Sequence, residues 1–146
     1  FLLLLVFCQI SIGAFVSGMD AGTIYNSWPK MGNSFFPDDN NLINLFNLSA
    51  FSDPSLVQFM HRNLAYLILF FYLFLMIKIY LNKLNNLYFA INLLGLLLLI
   101  QIILGIFTLL YGAQIILASM HQISSIFLVS SSVYFLYLNS NQQPSS

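Results

Sequence analysis

Long apolar segments alternate with shorter polar ones along this chain. A helix needs about 20 mostly apolar residues to cross a bilayer core, and the sequence supplies four such segments, at about 1–17, 56–81, 87–111 and 115–138. We therefore predict an all-α integral membrane protein. Its four transmembrane helices are expected to form one bundle, followed by a polar tail at 139–146.

The connection between the first two segments, residues 18–55, is the only long one, and it holds all four acidic residues. Within it, Leu42, Leu45 and Phe46 recur at helical spacing among asparagines, which predicts a short helix in the membrane interface. The connection after the second predicted helix carries Lys83 and no acid. Because cytoplasmic and matrix loops are enriched in basic residues, we place loop 18–55 on the periplasmic or intermembrane side.

An internal repeat relates the first and third segments, which share the pattern QIxxGxF. The pattern begins at Gln9 in the first segment and at Gln101 in the third. Each copy is followed by a connection and then by a segment with a histidine near its start, His61 or His121. The sequence therefore predicts two helix pairs of matching design, related by an axis along the membrane normal.

The two histidines are predicted to lie at the same depth. Each comes about six residues into its helix, which is roughly 9 Å along the helix axis. Gly13 and Gly105 fall at this level on the preceding helices, and a glycine leaves space beside an imidazole. An ionisable group at such a depth is costly unless it is paired, so its presence indicates a function.

Two histidines suit haem iron better than zinc. Zinc takes three or four protein ligands, and the chain has no glutamate and a single cysteine, Cys8. Haem iron takes one or two axial ligands, and helix bundles commonly hold cofactors between facing side chains. We predict His61 and His121 as axial ligands of one iron. The alternative is a pair of interfacial polar residues.

The other polar residues of these helices have two interpretations each. Arg62 either pairs with a haem propionate or extends to the interface as a snorkelling residue. Gln58 either orients an imidazole N–H or caps the start of the second helix. Gln9 and Gln101 either form hydrogen bonds between helices or contribute to packing, and packing is the simpler assignment.

Composition supports a membrane protein and narrows its partners. Hydrophobic residues make up 60% of the chain and charged residues 5%, whereas a soluble domain carries roughly a quarter charged residues. Four basic residues balance four acidic ones, which argues against nucleic acid as a partner and favours the lipid bilayer. The chain begins with FLLLL, without the basic region of a signal peptide, so we expect it to continue a longer protein.

Several sequence motifs closely resemble those of one family. They are GAFVSGMDAGTIYNSWPKMG at 13–32, FPDD at 36–39, VQFMHRNLAY at 57–66, LGIFTLL at 104–110, and His121 with its following glutamine. Together they resemble the C-terminal half of heme A synthase, in the version found in mitochondria and alphaproteobacteria. The resemblance covers almost the whole chain, apart from 40–53 and the Ser/Gln tail.

This resemblance implies a haem-modifying membrane enzyme. Family members have two homologous four-helix halves and oxidise the C8 methyl of haem O to the formyl of haem A, the cofactor of cytochrome c oxidase. The C-terminal histidine pair, matching His61 and His121, ligates a haem b that relays electrons. Arg62 and Gln58 would complete this cofactor site. The N-terminal half, which we expect this chain not to include, holds the substrate haem.

Two residues depart from the family pattern. Gln58 matches the position of a glutamate in the N-terminal half, and an amide cannot exchange a proton as a carboxylate does. Met60 stands where relatives usually carry Asp or Asn. We therefore assign no catalytic residue to this chain and expect that it is not catalytically competent alone.

The resemblance also implies a location and partners. We expect a multi-pass protein of the mitochondrial inner membrane, with the bacterial plasma membrane as the alternative. The expected partners are haem O and haem A, reached through the N-terminal half, the bilayer, heme O synthase, an electron acceptor and a second copy of the chain. Two alternative functions stay open: a bis-histidine cytochrome b-type electron carrier without synthase activity, and a haem-free scaffold.

Overall fold

A computed structural model describes residues 1–141 of the chain. Its four α-helices are α1 (Leu2–Gly18), α2 (Pro54–Leu81), α3 (Tyr88–Leu110) and α4 (Ile115–Ser140). The rest of this range holds four short 3-10 helices and an isolated bridge between Met31 and Ser34. The described chain is all-helical, as predicted. Of the predicted polar tail, residues 139–140 belong to α4 and 142–146 lie outside the described residues.

Three helical stretches within residues 1–141 are long and apolar enough to cross a membrane. They are α2, α3 together with the short helix before it, and α4. α1 has 17 residues, fewer than the about 20 that a bilayer core needs. Length and composition therefore confirm three of the four predicted transmembrane helices, while the span at α1 and the four-helix membrane bundle stay predictions.

Local chemistry explains where α2 begins. The Asp53 side chain accepts a hydrogen bond from the backbone N–H of Leu56 at 3.0 Å. This contact satisfies one of the free N–H groups of the first helical turn. Pro54 occupies the first helical position, where its missing N–H costs nothing. Asp53, and not Gln58, therefore caps this helix.

The connection between α3 and α4 is a tight turn. Gly112 and Ala113 both have positive φ angles, 67° and 56°. The Ala113 N–H donates to the carbonyl of Thr108 at 2.8 Å, and the Gly112 N–H donates to that of Leu109 at 3.1 Å. These bonds satisfy the last carbonyls of α3, and so short a turn returns α4 along α3 as an antiparallel neighbour.

The buried apolar core occupies only one half of the helices. α1 packs mainly on α2 and α4, and α3 on α4 and α2. No residue of α1 is buried after Val6, none of α3 after Leu98, and none of α4 before Leu128. The core therefore fills the half next to Lys83. In the other half, these three helices contribute no fully buried side chain.

The long loop contains two 3-10 helices, Leu42–Phe46 and Leu48–Ser52, where the pattern predicted a single short helix. Asn47 between them has an extended conformation, with φ −97° and ψ 145°. Asparagine side chains compete with the backbone for hydrogen bonds and so disfavour helix interiors. The chain therefore bends at Asn47.

Candidate functional site

His61 lies in the second turn of α2 and faces α1. The Gln9 amide nitrogen donates to the His61 backbone carbonyl at 3.0 Å and lies 3.2 Å from the ring nitrogen Nε2. Gly13 comes one turn after Gln9, and a Cβ atom there would lie 3.1 Å from His61 Cε1. The glycine thus leaves the space that the imidazole occupies, while the glutamine holds the histidine from the neighbouring helix.

His121 has the same neighbours in the other half of the chain. The Gln101 amide nitrogen donates to the His121 carbonyl at 2.9 Å and lies 3.4 Å from Nε2. A Cβ atom at Gly105 would lie 3.0 Å from His121 Cε1. The shared QIxxGxF pattern therefore builds the same contacts twice. We refer to each set of histidine, glutamine and glycine as a histidine unit.

Each imidazole has one nitrogen without a partner. His61 Nδ1 and His121 Nδ1 are both buried and make no hydrogen bond to any described residue. Buried polar atoms are nearly always paired, so two equivalent exceptions call for an explanation. No group of three or more His, Cys, Asp or Glu side chains suited to a metal ion occurs among residues 1–141.

The two histidine units differ in the second contact of the glutamine. At the second unit, the Ser124 hydroxyl donates to Gln101 Oε1 and, at 2.9 Å, to the His121 carbonyl. At the first unit, Gln9 Oε1 is buried without a partner. Leu64 occupies the position three residues after His61 that corresponds to Ser124, so it offers no hydroxyl there.

Arg62 fastens the long loop to α2 beside His61. Its terminal nitrogens donate to the carbonyls of Ser27 at 2.8 Å, Lys30 at 3.2 Å and Tyr25 at 2.8 Å. The Nε atom is buried and has no partner among the described residues. Arg62 therefore holds the loop through three backbone carbonyls and retains one unpaired donor. Its pairing with a propionate stays a prediction.

Gln58 is buried and also contacts the loop. Its amide nitrogen donates to the Tyr25 carbonyl at 3.2 Å, while its Oε1 atom is buried without a partner in the described chain. The side chain therefore binds the same carbonyl as Arg62 instead of capping α2. Its proposed contact with a cofactor or an imidazole stays a prediction.

Hydrogen bonds within the loop fix its position over the helix ends. The Tyr25 hydroxyl donates to Asp39 Oδ1 at 3.0 Å, and the Ser55 hydroxyl donates to Asp39 Oδ2 at 2.7 Å. The bond from Ser55 lowers the pKa of Asp39, and removal from water, aided by the Asp39 carboxylate, raises the pKa of Tyr25. Asn26 donates to the carbonyl of Leu109 at 2.8 Å, which ties the loop to α3 as well.

The structure thus brings three of the four predicted cofactor residues, Gln58, His61 and Arg62, to one end of α2, and it places His121 in the matching unit. Sequence reasoning undervalued Gln9 and Gln101, which it assigned to packing. The signal was present: each glutamine precedes its glycine by four residues, and side chains at this spacing share a helix face. The face that meets the imidazole therefore includes the glutamine.

The fold and these units define a multi-pass helical membrane protein with two half-buried histidines, each held by a glutamine of the preceding helix. Comparison with known proteins identifies it further. The family model described as cytochrome oxidase assembly protein (COX15-CtaA) matches residues 1–133, and the chain belongs to this family. The resemblance inferred from the motifs is thereby confirmed.

Curated relatives of the chain are named heme A synthase. The protein from Pelagibacter ubique is 46% identical over 141 residues, which cover 97% of this chain and 41% of that protein. The protein from Rickettsia felis is 40% identical over 136 residues, covering 91% and 39%. That from Rickettsia bellii is 43% identical over 131 residues, covering 86% and 37%. The chain thus spans about 40% of these relatives' length. No solved structure matches it.

Proposed function

We propose that this chain is the C-terminal, haem b-binding half of a heme A synthase, with His61 and His121 as axial ligands of one iron. The observation that carries the proposal is the pair of histidine units. Each places an imidazole against a glycine of the neighbouring helix and leaves one buried ring nitrogen without a protein partner. Neutral imidazole is the commonest metal ligand in proteins. The names of the relatives support haem as the group concerned.

Three features of this half of the helices support haem as the bound group. A haem needs only one or two protein nitrogens for its iron, and the two units supply two. The half of the helices that contains them has no buried side chain from α1, α3 or α4. Arg62 Nε is a buried donor without a partner, which suits a carboxylate such as a propionate.

Each residue of the site has a distinct proposed role. His61 and His121 would hold the haem iron through ring nitrogens, and Gln9 and Gln101 orient these two histidines from α1 and α3. Arg62, with Gln58, holds the loop as a cover over one edge of the site. A haem held there would supply one-electron transfer in the oxidation of the haem O methyl to the formyl of haem A. The four helices would form a bundle of two repeated pairs around it.

The oxidation itself is proposed to need the rest of the protein. Gln58 offers no carboxylate for proton transfer, and this chain contains no glutamate. The proposed membrane is the mitochondrial inner membrane or the bacterial plasma membrane, and the bacterial relatives named above support the second. Heme O synthase, an electron acceptor and a second copy of the chain are the proposed partners.

Reduced-minus-oxidised spectra of the purified chain, expressed with haem supply, test this proposal. The chain is expected to give the sharp α band of a six-coordinate haem, and the double variant His61→Ala, His121→Ala is expected to lose it. The matched control is Gln122→Ala, an exposed polar residue next to His121, which should keep the band. Circular dichroism establishes that the variants retain their helices. A band that survives in the double variant would refute the ligand assignment.

A second assay separates the synthase from an electron carrier with the same site. The chain is combined with the part of the Pelagibacter ubique relative that it does not match, and haem O is supplied. Conversion to haem A that depends on both histidines supports the synthase. A chain that binds haem but supports no conversion in this combination would be a cytochrome b-type carrier.

A further inference from the structure

Four large apolar side chains within seven residues of the loop are exposed, and no described part of the protein covers them. Phe46 and Leu48 are each 90% exposed, Ile43 is 76% exposed, and Leu42 is also exposed. They belong to the two consecutive 3-10 helices of the loop. Single exposed apolar residues are ordinary on a protein surface, but a group of them in one short segment indicates an interaction site. We call Leu42, Ile43, Phe46 and Leu48 the loop patch.

The loop patch is held beside the end of α2. The Asn40 amide donates to Asp53 Oδ2 at 2.9 Å, and Asp53 also caps α2. Segment 40–53 therefore starts at a residue that is hydrogen-bonded to Asp53 and ends at Asp53 itself, directly before α2. Phe51 packs against Phe15 in the last part of α1, with ring centroids 6.0 Å apart. The patch thus lies at the level where α1 ends and α2 begins.

The composition of the segment favours lipid as the partner. Residues 40–52 contain no charged side chain, and their polar residues are asparagines and serines. Neutral polar side chains with exposed Leu, Ile and Phe suit the boundary between lipid headgroups and acyl chains, where apolar groups are buried about 5–10 Å deep. Since α2 begins directly after this segment and is long and apolar enough to cross the bilayer, a bilayer crossed by α2 would have its surface near the patch.

We propose that the loop patch inserts into the headgroup boundary of the same bilayer that α2 crosses. Lipid contact at the patch then adds to the hydrogen bonds that already hold the loop, at Arg62 and at Leu109. The loop would keep its position over the histidine side of the helices even where its own hydrogen bonds are exposed. This inference does not depend on whether the histidines bind haem.

Tryptophan fluorescence in lipid vesicles tests the proposal. The chain has one tryptophan, Trp28, so all variants carry Trp28→Phe and one new tryptophan. Phe46→Trp reports on the patch, and its 90% exposure means that the change disturbs no packing. Phe70→Trp, on an exposed face of α2, is the lipid reference, and Asn33→Trp, at an exposed loop position, is the water reference. The vesicles are phosphatidylcholine, with or without bromine on the acyl chains near the headgroup.

Insertion predicts that brominated lipid quenches Phe46→Trp by at least half as much as Phe70→Trp, with a blue-shifted emission. Iodide in the water phase should quench it several-fold less than Asn33→Trp. Strong iodide quenching without bromine quenching would overturn the proposal, because the patch would then face water. Protection from both quenchers that grows with protein density in the vesicles would also overturn it, and would indicate a second copy of the chain. Leu48→Trp repeats the measurement at an independent position.

Discussion

The two histidine units of this molecule have the same core and different surroundings. In both, a glutamine of the preceding helix holds the histidine carbonyl and a glycine faces the ring. Only His61 is followed by an arginine, and that arginine binds the loop. Only at the His121 unit does a serine, Ser124, donate to the glutamine.

This difference separates two tasks. The repeated contacts position two imidazoles in equivalent ways, which is what two ligands of one iron require. The contacts of Arg62 and Gln58, which have no counterpart at His121, cover the site on the side of α2, because both residues bind the loop at Tyr25. Matching substitutions in the repeated contacts of the two units should therefore have similar effects. Substitutions at contacts that are not repeated should affect only the unit to which they belong.

Replacing Arg62 is expected to have the largest one-sided effect. Arg62→Gln removes three charge-assisted hydrogen bonds to the loop. Bonds to charged groups contribute about 1.5–3 kcal/mol each and are not additive, so we expect a loss of about 3 kcal/mol in the local stability of the loop. Amide hydrogen exchange at residues 20–40 should accelerate by on the order of 100-fold, while exchange around His121 stays unchanged.

Arg62→Lys is the matched control for this change. Lysine keeps the charge but presents a single ammonium group instead of the planar guanidinium. Amide exchange in the loop should therefore be faster than in the parent chain and slower than in Arg62→Gln. Equal exchange in all three proteins would show that Arg62 does not hold the loop. Equal acceleration around His121 would show that the two sides are not independent.

Substituting the two unit glycines should disturb both histidines equally. A Cβ atom at Gly13 or Gly105 would lie 3.1 or 3.0 Å from an imidazole carbon, so the ring must move. Overpacking of this kind costs about 1–3 kcal/mol. This cost opposes the about 1 kcal/mol that alanine gains over glycine in a helix, so Gly13→Ala and Gly105→Ala are expected to be less stable than Gly18→Ala and to lower the haem content to similar extents.

Gly18→Ala provides the control, because no atom lies within 4 Å of the position that a Cβ would take there. Alanine in a helix is about 1 kcal/mol more favourable than glycine, so this variant should match or exceed the parent in stability. If Gly13→Ala behaved like Gly18→Ala, the glycine would not be shaping the imidazole site. Sensitivity at only one of the two unit glycines would break the equivalence of the units.

The histidine and glycine of each unit were predicted to lie together because they recur at matching places in the repeat, whereas the contact of each glutamine with its histidine was not predicted. The helical repeat places Gln9 and Gly13 on one helix face, and it does the same for Gln101 and Gly105. The spacing in the sequence was therefore enough to place each glutamine beside its histidine. The role of Arg62 was not readable, because its partners are backbone carbonyls of an irregular loop. Every residue has a backbone carbonyl, so residue identity does not indicate which carbonyls Arg62 binds.

The role of Gln58 was missed for the same reason. Its partner is also a loop carbonyl, and the true cap of α2, Asp53, lies five residues earlier. The helix ends were predicted to within two residues because the apolar segments are long. The bend at Asn47 was not predicted, since apolar spacing alone does not distinguish a 3-10 helix from an α-helix in so short a segment.

Removing the Ser124 hydroxyl from the second unit, or adding a hydroxyl at Leu64 in the first, is expected to have a smaller effect on stability. Ser124→Ala would leave Gln101 Oε1 without the hydroxyl that now donates to it, as Gln9 Oε1 already is. A lost hydrogen bond of this type costs about 1 kcal/mol. Conversely, Leu64→Ser offers Gln9 a donor, so it should be about 1 kcal/mol more stable than Leu64→Ala. Chemical denaturation in detergent measures both, and equal stability of the two Leu64 variants would contradict the correspondence.

The smallest expected effect is the pH response of the loop. Asp39 has a pKa lowered below its ordinary value of 3.8 by the bond from Ser55, and Tyr25 has a pKa raised above 10.0, chiefly by burial. The contribution of Asp39 is present above its ordinary pKa and is lost as pH falls through the lowered one. The contribution of Tyr25 is present below pH 10.0 and is lost as pH rises through the raised pKa.

The Tyr25–Asp39–Ser55 contacts should therefore persist from about pH 4 to about pH 10 and weaken outside that range. The chemical shift of the Tyr25 ring, followed by NMR, reports this. Asp39→Asn should remove the acidic transition and leave the histidine units unchanged. A transition that persists in Asp39→Asn would assign it to another group.

The most direct test of the account is the spin state of the oxidised, haem-loaded chain by low-temperature electron paramagnetic resonance. If His61 and His121 ligate the same iron, the parent chain gives a low-spin signal, and either single change, His61→Ala or His121→Ala, converts it to high spin. The two variants should behave alike, since the units are equivalent. A parent chain in the high-spin state, or a single variant that stays low-spin, would contradict a shared iron.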